Sequence, residues 1–187
     1  MIREIISEQL QGPVDNAHIL DIGCGNGEIC RYFMNANKVA GVDIEDKRRP
    51  GREFTFKLVD SAKLPFNNDE FDIVISNHTI EHIPEQGEHL DEIKRVLKRG
   101  GIVYLATPNK SSPIMEGHIG NPYVLRYKQM APLFREHGFE PIEKSVQLIK
   151  NPAKYSAEFK YAKWLPIFIL KPLRRFFPSH VYILKLK

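Results

Sequence analysis

The sequence predicts a doubly wound α/β fold, in which helices cover both faces of a mostly parallel sheet. Short apolar stretches that suit buried strands alternate with stretches of helical periodicity along most of the chain. Near-continuous apolar strands are typical of parallel sheets, because such sheets are buried on both faces. A glycine-rich turn follows the first of these strands, at the edge where such folds bind ligands. We therefore expect a ligand site at the carboxyl ends of the first strands.

The elements follow in a simple order. Strands are expected at 19–22, 39–42, 54–59, 71–75, 102–106, 139–146 and 180–187. Helices are expected near the N-terminus, with Ile2, Ile5, Ile6 and Leu10 on one face, and at 27–34, around 90–97 and at about 129–137. Gly100 and Gly101 are expected to end the third helix, which Asp91 and Arg95 support at i,i+4 spacing. Pro132 is expected in the first turn of the last helix, where proline is tolerated.

The length of 187 residues predicts one domain. We divide it into a lead-in (1–17), a cofactor-binding core (18–150), an insertion (151–179) and a final strand (180–187). No apolar run approaches the ~20 residues of a membrane span, and no secretory leader is recognised. Cys24 and Cys30 suit neither a disulfide framework nor a metal knuckle, so we expect small buried thiols and a cytoplasmic location.

The glycine-rich turn carries the strongest functional signal. Residues 19–27 read ILDIGCGNG, with Gly23, Gly25 and Gly27 in a G-x-G-x-G pattern. Glycines suit this place because a ligand that touches the backbone leaves no room for a Cβ. A dinucleotide fingerprint needs its third glycine at position 28. That residue is Glu28, which would repel a pyrophosphate, and no P-loop lysine follows, so a ligand without phosphates fits better.

Two acids follow the next two strands. Asp43 ends the second strand, 20 residues after Gly23, where a carboxylate accepts hydrogen bonds from ribose hydroxyls. Asp60 ends the third strand, where its carboxylate would accept from an adenine amino group. Alternatively, both acids simply begin turns, as aspartates at strand ends often do. Together with the glycine pattern, the pair favours a nucleoside site.

At this point the sequence resembles the class I S-adenosylmethionine-dependent methyltransferases, especially the small-molecule type of ubiquinone and menaquinone biosynthesis. The matching stretches are ILDIGCGNG, GVDI, VDSAKLPF, FDIVISNHTIEHI and EIKRVLKRGGIVYLATPN, in the family's order over residues 19–109. The resemblance implies a seven-stranded Rossmann-like sheet with an antiparallel last strand, and S-adenosyl-L-methionine as cofactor.

The resemblance also implies roles for individual residues. Asp21, Gly23 and Gly25 would surround the methionine part, Asp43 would hold the ribose, and Ile44 would pack on the adenine. Asp60 and Ser61 would contact the adenine edge, and Asn77 would lie beside the sulfonium. The complete predicted cofactor-binding set is Asp21, Gly23, Cys24, Gly25, Gly27, Asp43, Ile44, Asp60, Ser61, Ala62 and Asn77.

Residues 77–82 supply candidates for catalysis. The Asn/Asp-Pro-Pro-aromatic sequence of base amino-group methyltransferases is missing here, so that chemistry is disfavoured. His78 and His82 are the candidate general bases. With Glu81 they have the i, i+3, i+4 spacing of metal ligands. The O-methyltransferases that this sequence resembles and that use a metal have Glu at the position of His78. Because this chain has His there, we predict no metal. The alternative is structural: Glu81 caps a helix and His82 packs against the sheet. His118 lies in a loop expected near the acceptor.

The insertion at 151–179 differs from the rest of the chain. Residues 1–150 carry a net charge of −3 and residues 151–187 a net charge of +7. Its aromatic and basic side chains suit a lid over the acceptor or a peripheral contact with an anionic membrane. Binding of nucleic acid is disfavoured, because no recognition motif accompanies the charge. The remaining alternative is an ordinary basic surface.

These observations predict methyl transfer to a small organic, sugar or lipid-linked acceptor, at oxygen or carbon. The first alternative is a nicotinamide-dependent oxidoreductase or epimerase, which Glu28 disfavours. The second is a cofactor-binding module of the same fold that catalyses nothing.

Overall fold

The computed structural model describes residues 1–59, 63–112, 120–145, 166–173, 175 and 177–187. Its seven strands form one sheet: β1 His18–Ile22, β2 Lys38–Asp43, β3 Thr55–Leu58, β4 Phe71–Asn77, β5 Leu97–Pro108, β6 Phe139–Glu143 and β7 Ser179–Leu186. The described helices are α1 Ile2–Leu10, α2 Glu28–Phe33, α3 Gln86–Val96, α4 Tyr127–Glu136 and α5 Ile167–Leu173, with one turn of 3₁₀ helix at Ile80–His82.

The strands have the order β3-β2-β1-β4-β5-β7-β6. The first five in this order run parallel, and β7 lies antiparallel between β5 and β6. The order reverses at β1, which pairs with β2 on one side and β4 on the other. A doubly wound sheet with an antiparallel last strand is therefore confirmed. The reversal point lies where such sheets bind ligands.

Alternating side chains of the strands build a core on each face of the sheet. Leu20 faces α3 and α4, whose buried residues include Leu90 and Phe134. Ile19, one residue earlier, faces α1 and α2 and packs in the same cluster as Phe33. Asp21 follows Ile19 by two residues and shares its face, because side chains in a strand alternate with a period of two. This placement brings Asp21 to α2.

The expected end of α3 at Gly100 and Gly101 is wrong. The helix ends at Val96, and Leu97 already has extended backbone and pairs with Phe71 of β4. Gly101 lies within β5, where an added Cβ would stand 2.8 Å from the carbonyl oxygen of Asp72. The glycine therefore allows close approach to the neighbouring strand and does not cap the helix.

The expected pairing of Asp91 with Arg95 is also wrong. The Arg95 guanidinium donates to both carboxylate oxygens of Glu92 at 2.7 Å, one turn away at i,i+3. Asp91 instead contacts Nδ1 of His137 at 2.9 Å, just beyond α4. A partner from another element has replaced the pair that helix spacing suggested.

The last helix begins two residues earlier than expected, at Tyr127, so Pro132 lies inside α4 and not in its first turn. Gln129 explains the earlier start, because its side-chain oxygen accepts from the Arg126 backbone N–H at 3.0 Å. The expected stop at Gly138 is confirmed, with φ +85° and its N–H bonded to the Arg135 carbonyl. Within the described ranges, no helix has the length and apolar character needed to cross a bilayer.

Candidate functional site

The glycine-rich turn joins β1 to α2 at the carboxyl edge of the sheet. Gly23, Gly25 and Gly27 have φ of +70°, +51° and +80°, in the left-handed region that favours glycine. The backbone N–H groups of Gly23 and Cys24 both donate to the Val42 carbonyl, at 2.8 and 3.0 Å. The turn is thus bonded to the end of β2.

The three glycines serve different purposes. A Cβ on Gly23 would stand 2.4 Å from Oγ1 of Thr79, and one on Gly27 would stand 2.7 Å from the Phe54 ring. A Cβ on Gly25 would meet open space. From the sequence, all three glycines were expected to leave room for a ligand that touches the backbone. In the structure, packing excludes a side chain at Gly23 and Gly27, and only Gly25 faces a free volume.

Asp43, at the end of β2, is bonded to the same turn. Its Oδ2 accepts from the Gly25 N–H at 2.7 Å, and its Oδ1 accepts from the Ile44 and Glu45 N–H groups at 2.8 and 3.4 Å. A carboxylate has about four acceptor positions. One position therefore remains on Oδ2, and the carboxylate can accept from a ligand while it holds the turn.

A cleft of about 320 Å³ opens between the turn, the end of β2 and the segment after β4. Its wall consists of Ile22, Gly23, Asp43, Ile44, Val59, Leu64, His78, Thr79, His82, Ile83, Pro84, Glu85 and His89. Ile44 is 68% exposed, which is unusual for an isoleucine and leaves its side chain available to a flat ligand. The volume suits a small organic ligand.

Asp21 does not line this cleft and is 1% exposed. Burial raises the pKa of its carboxyl to about 7, and its Oδ2 accepts from the Cys30 thiol at 3.4 Å. Hydrogen bonding with Cys24, burial and the Asp21 carboxyl all raise the pKa of Cys30. Cys24 and Cys30 are free and buried, so both are small core side chains, and Cys30 is not a thiolate.

Among the candidate bases, His78 has the more specific surroundings. It follows β4 with φ +57°, a rare backbone conformation for a side chain other than glycine. Its side chain is 29% exposed. The distance from its Nδ1 to Oε1 of the fully buried Glu81 is 3.4 Å. Thr107 donates to the other oxygen of Glu81 at 3.3 Å, and Asn121 donates to its carbonyl at 2.9 Å. Glu81 is thus held in place behind His78.

His82 lies on the exposed side of the 3₁₀ turn and lines the cleft. The alternative in which it packs against the sheet is therefore wrong. Although His78, Glu81 and His82 have metal-ligand spacing in the sequence, Glu81 is buried and His82 is exposed. In the parts of the chain that the structure describes, no group of three or more His, Cys, Asp or Glu side chains is placed to hold a metal ion.

Sequence analysis missed His89, which lies on α3 and forms part of the cleft wall. The residue is 1% exposed, and its Nε2 has no hydrogen-bond partner among the described residues. Burial lowers the pKa of His89 to about 4, so the ring is neutral at pH 7. Its spacing with Leu90 and Ile93 is that of an ordinary core position. Only its polar side chain could have indicated a place in a ligand site.

The buried carboxyl of Asp21 leads to a prediction about pH. A carboxyl with a pKa raised on folding stabilises the fold below its ordinary value of 3.8, and this contribution is lost as the pH rises through about 7. Asp21→Asn is therefore expected to be more stable than the wild type at pH 8, by about 2 kcal/mol, since the asparagine NH₂ offsets part of the linkage energy. Near pH 4 the order should reverse, with Asp21→Asn about 2 kcal/mol less stable than the wild type, because the wild-type carboxyl is then protonated and only the cost of the asparagine remains.

Urea denaturation at pH 4, 6 and 8 measures this difference in the free energy of unfolding. The titration of His89 is the same in both proteins and cancels. Asp15→Asn is the matched control, because Asp15 is exposed and paired with Arg3 at 3.0 Å on the surface. Its effect should stay below about 1 kcal/mol at every pH. A pH-independent difference between wild type and Asp21→Asn would contradict the burial of an ionisable carboxyl.

A second, basic groove of about 780 Å³ lies between the end of β5 and the start of α4. Lys110, Arg126, Lys128 and Arg175 line it, and none of its described lining residues is acidic. The 3₁₀ turn is bonded to one wall of this groove, because Gln86 donates both to the Ile80 carbonyl at 3.0 Å and to the Tyr123 carbonyl at 2.8 Å.

Several predicted site residues lie outside the described part of the chain. These are Asp60, Ser61, Ala62, His118 and most of the insertion at 151–179. The predicted contacts to the adenine edge and to a membrane therefore stay predictions. Asn77 is described, as the half-buried last residue of β4. Glu28 begins α2 as expected, with its side chain exposed and 3.7 Å from Arg49.

The sequence around this site is similar to that of known methyltransferases. A family model described as a methyltransferase domain matches residues 20–105, which include the turn, Asp43 and the segment after β4. A ubiquinone biosynthesis O-methyltransferase of Pelagibacter ubique is 26% identical over 161 residues, which are 79% of this chain and 64% of that protein. Residues 20–105 therefore belong to the methyltransferase-domain family, and the chain as a whole is similar to class I S-adenosylmethionine-dependent methyltransferases.

A second relative carries the same name. The ubiquinone biosynthesis O-methyltransferase of a Chelativorans species is 29% identical over 126 residues, covering 62% of this chain and 50% of that protein. The chain thus spans about half to two thirds of the length of these two relatives.

Solved structures share the fold. A methyltransferase of Mesorhizobium loti has a TM-score of 0.67 at 15% identity, with 98% of this chain and 97% of that chain covered. The 1,6-didemethyltoxoflavin-N1-methyltransferase of Burkholderia thailandensis, with bound 1,6-didemethyltoxoflavin and S-adenosylhomocysteine, has a TM-score of 0.66 at 17% identity, covering 100% and 76%. The [4+2]-cyclase SpnF has a TM-score of 0.67 at 17% identity, covering 99% and 79%, so this fold also supports other reactions.

Proposed function

We propose that this methyltransferase transfers the methyl group of S-adenosylmethionine to a small organic, sugar or lipid-linked acceptor, at oxygen or carbon. The observation that carries the proposal is the hydrogen bond from the Gly25 N–H to Asp43 Oδ2. It joins the glycine turn to the carboxylate that is proposed to bind the ribose, at the edge of one cleft. The family's ordinary cofactor and the relatives named as O-methyltransferases support it.

A nucleoside fits three observations of the structure. Gly25 leaves open space beside the turn, Asp43 keeps an acceptor position for a ribose hydroxyl, and the exposed Ile44 offers an apolar surface for a flat base. Val59 and Leu64 continue that surface along the cleft. These residues would hold S-adenosylmethionine, which when bound supplies an electrophilic methyl group on its sulfonium.

The protein's own part in the reaction is to align the acceptor, exclude water and remove a proton from an acceptor hydroxyl. His78 is placed for the last task, since it borders the cleft and has a carboxylate behind its ring. Glu81 would stabilise the imidazolium that forms when His78 takes the proton at its other nitrogen. The basic side chains of the groove between β5 and α4 favour the approach of an acceptor that also carries a negative charge.

The test is a binding titration by calorimetry with S-adenosylhomocysteine and, separately, with NAD. We expect micromolar or tighter binding of S-adenosylhomocysteine and no heat from NAD. Tight binding of NAD without a response to S-adenosylhomocysteine would favour the oxidoreductase or epimerase instead. Cofactor binding with no turnover of any acceptor would favour the non-catalytic module.

Asp43→Ala gives a local test of the proposed ribose contact. Loss of a charge-assisted hydrogen bond costs about 1.5–3 kcal/mol, so the Kd for S-adenosylhomocysteine should rise about 10- to 150-fold. Asp43→Asn is the matched variant, because it can still accept from the Gly25 N–H, and we expect a smaller loss. Asp46→Ala, at an exposed acid paired with Arg48, should leave the Kd unchanged. An unchanged Kd in folded Asp43→Ala would contradict the ribose assignment.

A further inference from the structure

The neutral imidazole of His89 is a buried polar group in the wall of the cleft. Its Nε2 is buried and has no hydrogen-bond partner among the described residues. An unpaired buried polar atom costs about 1–3 kcal/mol, so such an atom in a binding cleft indicates a partner supplied by the ligand.

The contacts of α3 indicate which end of the cleft His89 faces. Glu92, one turn further along α3, accepts from the Leu64 N–H at 2.8 Å. Because residues three apart lie on the same side of a helix, His89 is on the side of α3 that faces the segment around Leu64. Leu64 lines the cleft together with Val59 and Ile44, the residue proposed to pack on the base. His89 therefore lies at the end where the base of a bound nucleoside would sit.

We propose that Nε2 of His89 hydrogen-bonds the edge of the adenine ring and so selects the base of the bound nucleoside. This inference rests on the proposed function. A neutral imidazole nitrogen either donates to a ring nitrogen of adenine or accepts from its exocyclic amine. In both cases the contact gives the buried Nε2 of His89 a hydrogen-bond partner and reads the identity of the base.

The test measures binding to wild type and to two variants by calorimetry. His89→Leu removes the hydrogen bond and suits its apolar neighbours, whereas His89→Gln retains a donor and an acceptor. The probes are S-adenosylhomocysteine and three analogues, which replace the exocyclic amine by oxygen (S-inosylhomocysteine), ring nitrogen 7 by carbon, or ring nitrogen 3 by carbon. Glu88→Gln, an exposed neighbour on α3, is the control.

We expect His89→Leu to bind S-adenosylhomocysteine about tenfold more weakly than wild type, with His89→Gln intermediate and Glu88→Gln unchanged. One analogue should bind wild type about tenfold more weakly than S-adenosylhomocysteine does. In His89→Leu that analogue should lose most of this penalty, because it lacks the atom that His89 contacts. A structural role alone would lower the affinity for all four probes equally.

Two results would overturn the inference: an unchanged affinity of His89→Leu for S-adenosylhomocysteine, or equal penalties for all three analogues in wild type and variant. If His89→Leu does not fold, the ¹⁵N resonance of Nε2 in the wild-type protein decides, since it should shift when S-adenosylhomocysteine is added and a stationary signal contradicts the contact. If wild type does not bind S-adenosylhomocysteine at all, the proposed function itself fails.

Discussion

Replacing His78 by glutamine is expected to lower kcat about 10²–10⁴-fold for a hydroxyl acceptor, while the Kd for S-adenosylhomocysteine changes less than about twofold. The expected size follows from the ordinary contribution of a general base. It applies to His78 because the ring borders the cleft and Oε1 of the buried Glu81 lies 3.4 Å from its Nδ1.

Single-turnover kinetics on His78→Gln, Glu81→Gln and His82→Gln separate the possible roles. Glu81→Gln should lower kcat less than His78→Gln and shift the pH profile, since Glu81 acts through the imidazole. His82→Gln should affect the rate least. A larger loss in His82→Gln than in His78→Gln would transfer the role of base to His82. Equal and small losses in all three variants indicate an acceptor that needs no base, such as an activated carbon.

Gly23→Ala is expected to destabilise the protein by about 2–4 kcal/mol. A residue other than glycine at φ +70° costs about 1–2 kcal/mol. The added Cβ would also stand 2.4 Å from Oγ1 of Thr79, so this side chain must move. Thr79 then loses its 2.9 Å hydrogen bond to the Ile22 carbonyl, worth about 1 kcal/mol. For a chain of this length, the melting temperature should fall by about 5–12 °C.

Gly25→Ala is the matched control for that destabilisation. Its φ of +51° carries a similar backbone cost, but its Cβ meets nothing within 4 Å. Thermal unfolding should therefore show a clearly smaller loss of stability for Gly25→Ala. If the two variants melt at the same temperature, the contact with Thr79 contributes nothing, and only the left-handed backbone requires glycine in this turn.

The sequence predicted the fold and the position of the site because both depend on patterns that are local in the chain. The strands around the glycine turn are short and mostly apolar. The G-x-G-x-G spacing of the glycines in the turn fits few classes of ligand. Boundaries that depend on distant partners were predicted less well. The junction of α3 and β5 is set by pairing of Leu97 with Phe71, which no residue near Leu97 indicates.

Sequence analysis missed features of the site for the same reason. His89 occupies a position of the apolar face of α3, so helical periodicity assigns it to the core, and only the packing of α3 on the segment at Leu64 brings it to the cleft. Likewise, Asp21 was expected beside the ligand. The alternation of β1 turns its side chain to α2, where it contacts Cys30 and is fully buried.

The position of β7 has a consequence for the order in which the molecule assembles. Because β6 pairs only with β7 within the described sheet, β6 has no place to add until β7 has bound to β5. During synthesis, β7, which follows β6 in the chain, must therefore leave the ribosome before β6 can dock on the sheet. Until then the outer side of β5 presents unpaired backbone groups, so a chaperone that covers this edge would protect the nascent chain from aggregation.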